Sequence, residues 1–152
     1  MLADKMTLSP AGDTWIRHCE GLVLVAKDDN GKCSIGIGHR GVPPGTTWTE
    51  AQAEAAYADD KAAAERIVNA LVAVPLTQGQ FDALVDFTFN LGAWHLQTST
   101  LLDELNKGLY DDVPAQLMRW DHVEQVVSPG LEARRKGDVI LWNGGNPLEE
   151  AV

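Results

Sequence analysis

The amino-acid sequence predicts a mostly helical α+β fold: one helix, then a small antiparallel sheet, then a helical bundle. Three observations carry this. β-prone residues gather in a single stretch, 22–39, around a strong turn. Helix start and stop signals recur through the remainder. The 152 residues are enough for one domain with a substantial core, and no low-complexity tract or repeat suggests otherwise.

Each element follows from local chemistry. Ser9-Pro10 reads as an N-cap followed by proline at the first helical position. Trp15, Ile16 and Cys19 then form an apolar stripe at helical spacing, and Gly21 supplies a left-handed stop. Leu22 to Val25 and Cys33 to Ile35 are β-prone arms around the turn Asp28-Asp29-Asn30-Gly31. Gly36, Gly38 and Gly41 let a small sheet bend, and Pro43-Pro44-Gly45 is loop. Everything after Trp48 reads as helix. Thr49 and Gln52 fit a capping box that opens a long helix from Glu50 to about Leu71, before Pro75 breaks the chain. Thr77 and Gln80 repeat the box ahead of Phe81, Leu84, Val85, Phe87, Thr88 and Leu91, a largely buried helix stopped by Gly92. Further helices are expected from Ser99 to Lys107, from Asp112 to Trp120, and from Ser128-Pro129 to about Trp142.

The net charge of −10 argues against nucleic acid as a partner, because that binding needs Lys and Arg to neutralise phosphates. No apolar run reaches the roughly 18 residues that span a bilayer. The segment MLADKMTLSPAGD lacks the apolar stretch of a signal peptide or anchor. A cytoplasmic start, no stable membrane association and export with outside help are therefore expected. Cys19 and Cys33, the only two cysteines, are expected to be buried, reduced and structural, and no Cys/His cluster suggests a metal.

Among candidate reactive groups Glu20 stands out. It ends the first helix, where unpaired carbonyls carry partial negative charge and favour a carboxylic acid over a carboxylate. Such an acid suits protonation of a glycosidic leaving oxygen. A second carboxylate, Asp28 or Asp29, lies in the following turn, although turn chemistry alone would also place aspartates there. Gly36-Ile37-Gly38 is too short for a dinucleotide fingerprint, and neither a Gly-x-Ser-x-Gly elbow nor a calcium loop is present. Glu65 and Arg66 read as a solvated helix face, and His18, His95 and His122 as surface or packing residues.

Taken together, Glu20-Gly21-Leu22, Lys27-Asp28 and Ser34-Ile35-Gly36-Ile37-Gly38-His39 closely resemble the phage-type lysozymes, the endolysins of glycoside hydrolase family 24. The family signature is Glu-Gly-Leu, an Asp at a hairpin turn, then Thr-Ile-Gly-x-Gly-His. The resemblance continues through Val74-Pro75-Leu76-Thr77-Gln78, Phe89-Asn90-Leu91-Gly92, Ser99-Thr100-Leu101-Leu102, Arg119-Trp120 and Pro129-Gly130-Leu131 with Arg134-Arg135. It implies one lysozyme-like catalytic domain over 1–152, with a sheet-bearing lobe at about 12–48. The helical lobe would span about 72–145 plus the N-terminal helix.

The implied activity is hydrolysis of the β-1,4 bond between N-acetylmuramic acid and N-acetylglucosamine in peptidoglycan, without metal or cofactor. Glu20 is then the acid, Asp28 the partner carboxylate (Asp29 the alternative), and Ser34 stands where Thr is usual. The interval from Glu20 to His39 is one residue shorter than the usual pattern; counting back from Ser34 selects Asp28, and counting forward from Glu20 selects Asp29. His39 and Asp60 match a structural pair near the site, and Asn90 and Arg134 match substrate-binding positions, Arg135 less clearly. The implied setting is host-cell lysis by a monomer that waits in the host cytoplasm and reaches the wall after a holin opens the membrane. Competing readings are a lytic transglycosylase acting on the same bond, a non-catalytic wall-binding or virion module, and a helical regulator.

Overall fold

The computed structural model describes residues 5–29 and 31–150, with Asp29 described by its backbone alone. The Asp29 side chain, Asn30 of the predicted turn and the start of the N-terminal segment lie outside the described residues. The chain divides into two compact units, Ile16–Ala63 and Met1–Trp15 with Ala64–Val152, and both divisions fall inside helices.

The smaller unit holds the sheet. Helix α1 (Pro10–Glu20) starts where Ser9 Oγ accepts the Gly12 N–H at 3.2 Å, and it ends where Gly21 turns left-handed at φ +67°. Strands β1 (Val23–Asp29), β2 (Lys32–Gly36) and β3 (His39–Arg40) pair antiparallel in that order. The register, Asp29 opposite Lys32 and Asp28 opposite Cys33, leaves a two-residue connection, as the turn signal predicts. Pairing lapses between Val23 and Lys27. There the backbone of β1 turns to the following loop instead: Ala26 N–H bonds Thr46 O at 2.9 Å and Trp48 N–H bonds Leu24 O at 2.9 Å.

Helix α2 (Glu50–Leu71) opens on the expected reciprocal cap, Thr49 N–H to Gln52 Oε1 at 2.8 Å and Gln52 N–H to Thr49 Oγ1 at 3.2 Å. Arg17 ties α1 to α2 through a two-pronged bond to Glu54 at 2.7 and 2.9 Å, its guanidinium 4.6 Å above the buried Tyr57 ring. Ile16, Ala26, Ile35, Ile37, Ala53 and Tyr57 make the core, and full burial of each isoleucine contributes about 1.5–3 kcal/mol.

The larger unit is helical: α3 (Gln78–Leu91), α4 (Ala93–Gln97), α5 (Thr100–Asn106), a 3₁₀ turn at Tyr110–Asp112, α6 (Val113–Met118) and α7 (Pro129–Trp142). Caps at Thr77, Ser99 and Ser128 start α3, α5 and α7 as their sequences dictate. Helices α3 and α7 approach until a Cβ on Gly79 would lie 2.1 Å from the Leu141 carbonyl. The same closeness recurs at Gly137, where a Cβ would strike the Trp15 indole at 2.0 Å. Two glycines thus set the packing of this core. Among the described residues no helix is long and apolar enough to cross a membrane.

Three expectations need correction, and one helix is added. The chain after Trp48 is not all helix: β4 (His122–Val123) and β5 (Val126–Val127) form a hairpin turned by Glu124 and Gln125, both at positive φ. Such a turn ordinarily calls for Asn or Gly, and Val123, Val126 and Val127 are exposed, so neither turn chemistry nor alternation announces it. Helix α4 is one short turn after Gly92 and carries too few residues for a periodic signal. Cys19 and Cys33 are free but half-buried. Glu65 is half-buried rather than a purely solvated position, and its carboxylate accepts the Leu8 N–H at 2.6 Å and so pins the N-terminal segment.

Candidate active site

Glu20 is the last residue of α1, half-buried, in the unit Ile16–Ala63. Its carboxyl lies directly against the β2–β3 turn. A Cβ added to Gly38 would sit 2.6 Å from Glu20 Oε2 and 2.7 Å from its carboxyl carbon, and Gly38 itself has φ +72°. Only glycine meets both demands, since other residues are strained at that φ and would strike the carboxyl. The Gly36-Ile37-Gly38 run therefore seats an acid rather than a nucleotide phosphate.

The hairpin carries the other two candidates. Asp28 is exposed near the end of β1, and its Oδ1 accepts the Gly31 N–H at 3.0 Å, which holds the carboxylate over the turn. Ser34 is exposed on the central strand β2, opposite Lys27 on β1 and Arg40 on β3. Lys27, Ser34 and Arg40 thus form one row across the sheet, which puts cationic residues on both sides of the hydroxyl. Nδ1 of His39 stands 2.7 Å from Asp60 Oδ2, and its ring lies 5.3 Å from the Trp48 ring, tilted by 39°. That pair joins β3 to α2 and stiffens the strand that follows Gly38.

Asn90 and Arg134 belong to the other unit, where each already has a partner inside the protein. Arg134 is 8 % exposed and its guanidinium engages Asp86, with Nη2 2.7 Å from Oδ1 and Nε 3.2 Å from both oxygens. Arg135 is fully buried, donates to Asn90 Oδ1 at 2.8 Å and lies 5.4 Å over the Phe87 ring. Its Nε is 3.1 Å from Asp138 Oδ2, close in distance but not aligned as a hydrogen bond. Asp138 also accepts from Trp15 Nε1 at 3.2 Å.

Burial opposes ionisation of Asp86, but the Arg134 guanidinium and its neighbours prevail and hold the carboxyl down at about 2. Burial pushes the Asp138 carboxyl well above the usual carboxylate range, and the Asp86 charge pushes the same way. Sequence reasoning put forward Asn90 and Arg134 but missed Asp86 and Asp138. A helical-spacing signal existed: Asp86 stands four residues before Asn90, and Asp138 stands four and three after the two arginines. Among the described residues no group of three or more His, Cys, Asp and Glu side chains is placed to hold a metal ion.

Comparison with known proteins places this architecture. Residues 17–138 match the model of the phage lysozyme family. The endolysin of Acyrthosiphon pisum secondary endosymbiont phage 1 is 36% identical over 143 residues, which cover 90% of this chain and 98% of that protein. Two solved structures are similar, each 33% identical. One is the muramidase domain of SpmX from Asticaccaulis excentricus, with TM-score 0.81 over 90% of this chain and 97% of that one. The other is the endolysin from Escherichia coli O157:H7 phage FAHEc1, with TM-score 0.80 over 91% and 94%. With its signature residues gathered on one helix end and one small sheet, and a match across most of its length, the chain belongs to the phage lysozyme family.

Proposed function

We propose that this chain is an endolysin of muramidase type, a glycoside hydrolase that cleaves the β-1,4 bond between N-acetylmuramic acid and N-acetylglucosamine in peptidoglycan. Glu20 protonates the leaving oxygen, Asp28 supports water attack on the developing cation, and the Ser34 hydroxyl holds that water. The observation that carries the reading is the seat of Glu20: a carboxyl at a helix C-terminus, pressed on Gly38, a turn position that admits no side chain. An acid fixed by backbone keeps its aim through the reaction, and preorganisation of that kind is what proton transfer needs. The exposed carboxylate of Asp28 and hydroxyl of Ser34, on paired strands of the same sheet, supply the remaining polar groups.

The whole chain acts as one catalytic domain and as a monomer. It waits in the host cytoplasm and reaches the wall once a holin has opened the membrane.

The test uses purified protein and its Glu20→Gln variant on chloroform-permeabilised Gram-negative cells, with turbidity and the mass of released muropeptides as readouts. Wild type should clear the suspension and leave reducing-end products. Glu20→Gln should lose about 10²–10⁴-fold in rate, the usual share of a general acid. Anhydro-sugar products would transfer the assignment to a lytic transglycosylase. A wild-type chain that binds walls without clearing them would make it a binding module.

A further inference from the structure

We propose that the larger unit carries a second ligand site, a pocket for a single-chain anionic amphiphile whose apolar tail enters the fold while its head rests between Lys5 and Arg66. The pocket has a volume of about 660 Å³ and lies between the N-terminal segment, the last turns of α2, the connector 72–76 and the start of α3. That size falls within the roughly 300–1,000 Å³ of small-molecule sites. Its lining is chiefly apolar: Val68 and Phe81 are fully buried, and Val72 and Pro75 contribute the connector's side.

The wall is built rather than incidental. The Met6 N–H bonds Asn69 Oδ1 at 3.1 Å, Asn69 Nδ2 returns a bond to the Met6 carbonyl at 2.9 Å, and the Leu8 N–H bonds Glu65 at 2.6 Å. These bonds clamp an extended segment onto α2, so the pocket is held open before a ligand arrives and little ordering cost falls on binding.

Charge then selects the occupant. The chain has 22 acidic and 12 basic residues, yet among the described residues no carboxylate lines this pocket. Its only charged lining residues are Lys5 and Arg66, both exposed and neither ion-paired among the described residues. An apolar cavity alone would accept any alkyl chain. Two cations at an apolar cavity favour a tail that ends in a carboxylate or phosphate, the anions that lysine and arginine bind best. The site lies in the unit that does not hold Glu20, and it does not depend on the proposed wall chemistry.

Titration of the full chain with four ten-carbon amphiphiles, each below its micelle threshold, tests this: decanoate, decyl phosphate, decyltrimethylammonium and decyl maltoside. Methyl chemical shifts and calorimetry are the readouts. The two anions should bind saturably at one site, at least about tenfold tighter than the cationic and neutral amphiphiles, and should shift Val68, Val72 and Leu76. The tighter of the two identifies the head group. A Lys5→Glu/Arg66→Glu double variant, altered only at exposed positions, should prefer decyltrimethylammonium. Equal affinity for all four heads, unsaturable partitioning, or shifts confined to other residues would overturn the proposal. Glu20→Gln should bind decanoate as wild type does, so this site can fail or stand apart from the lytic reading.

Discussion

The two units handle charge in opposite ways. In the unit Ile16–Ala63 the candidate reactive groups are exposed or half-buried and are positioned by backbone: a helix end under Glu20, a turn N–H on Asp28, a strand register around Ser34. In the larger unit Asp86, Arg134, Arg135 and Asp138 are buried and positioned by one another. On the proposed function, the first arrangement presents carboxyl groups to a substrate. The second uses charge to fix where α3 and α7 meet, because a buried charge is tolerated only where an opposite charge is already in place. Carboxylates are therefore exposed or half-buried candidates for chemistry in one unit and buried fixtures of geometry in the other, and solvent exposure separates the two.

The largest effect should come from breaking the buried set. Asp86→Ala leaves two guanidinium groups without their main counter-charge and should cost about 3–5 kcal/mol in unfolding free energy, read from urea melts. A loss under about 1 kcal/mol would mean that water reaches the network and that the contrast between the units is false. The pH dependence has a fixed sign. Asp86 is depressed to about 2 when folded, so its contribution is present above the ordinary carboxylate value near 4 and is lost as pH falls through about 2. Asp138 is shifted the other way: its contribution is present below about 4 and is lost as pH rises through its raised value. Asp138→Asn, a mimic of the protonated acid, should flatten that downward limb and leave the acid limb in place. If the limb persists in the variant, Asp138 is ionised in the fold and the two carboxylates share the arginines equally.

In the smaller unit the sharpest disruption is Gly38→Ala. The added Cβ would press on the Glu20 carboxyl at 2.6 Å and be held at an unfavourable φ. The strain should cost about 1–2 kcal/mol in stability. Activity should fall further than that cost explains, by at least about tenfold, if the displaced group is the proton donor that the proposed function makes it. Lysis rates and melts on the same preparation separate the two. Unchanged lysis with lowered stability would remove Glu20 from the reaction.

How legible this was from sequence follows the same division. Capping boxes at Thr49 and Thr77 and proline starts at Pro10 and Pro129 encode local hydrogen bonds, so the helix starts could be read directly. Glu20, the turn and the glycines were legible because helix termini and left-handed turns have a small set of permitted residues. The buried network was not. Arg134 and Asn90 attract notice as polar residues within a familiar motif, but that Arg134 meets Asp86 and Asn90 meets Arg135 follows only once α3 and α7 are known to pack together; helical spacing alone could flag Asp138 beside Arg135. The β4–β5 hairpin was hidden for another reason: Glu124 and Gln125 adopt a conformation that their side chains do not favour, so tertiary context overrides local preference.

The smallest expected effect concerns Ser34, where the resemblance leads one to expect threonine. Both residues offer the hydroxyl, and the position is exposed on β2 opposite Lys27 and Arg40, so an added methyl meets solvent rather than core. Threonine is stiffer at χ1 and suits a strand slightly better. A hydroxyl that spends more time in one rotamer holds a water more often, but the gain is bounded by the modest rotamer entropy of a small side chain. Ser34→Thr should therefore raise the lysis rate by no more than about threefold and leave the melting midpoint within about 2 °C. Ser34→Ala keeps the size and removes the hydroxyl, and it should lower the rate by about tenfold or more with equally little effect on melting. If alanine and threonine both match wild type, the hydroxyl holds no water in the reaction, and Glu20 and Asp28 must position it alone.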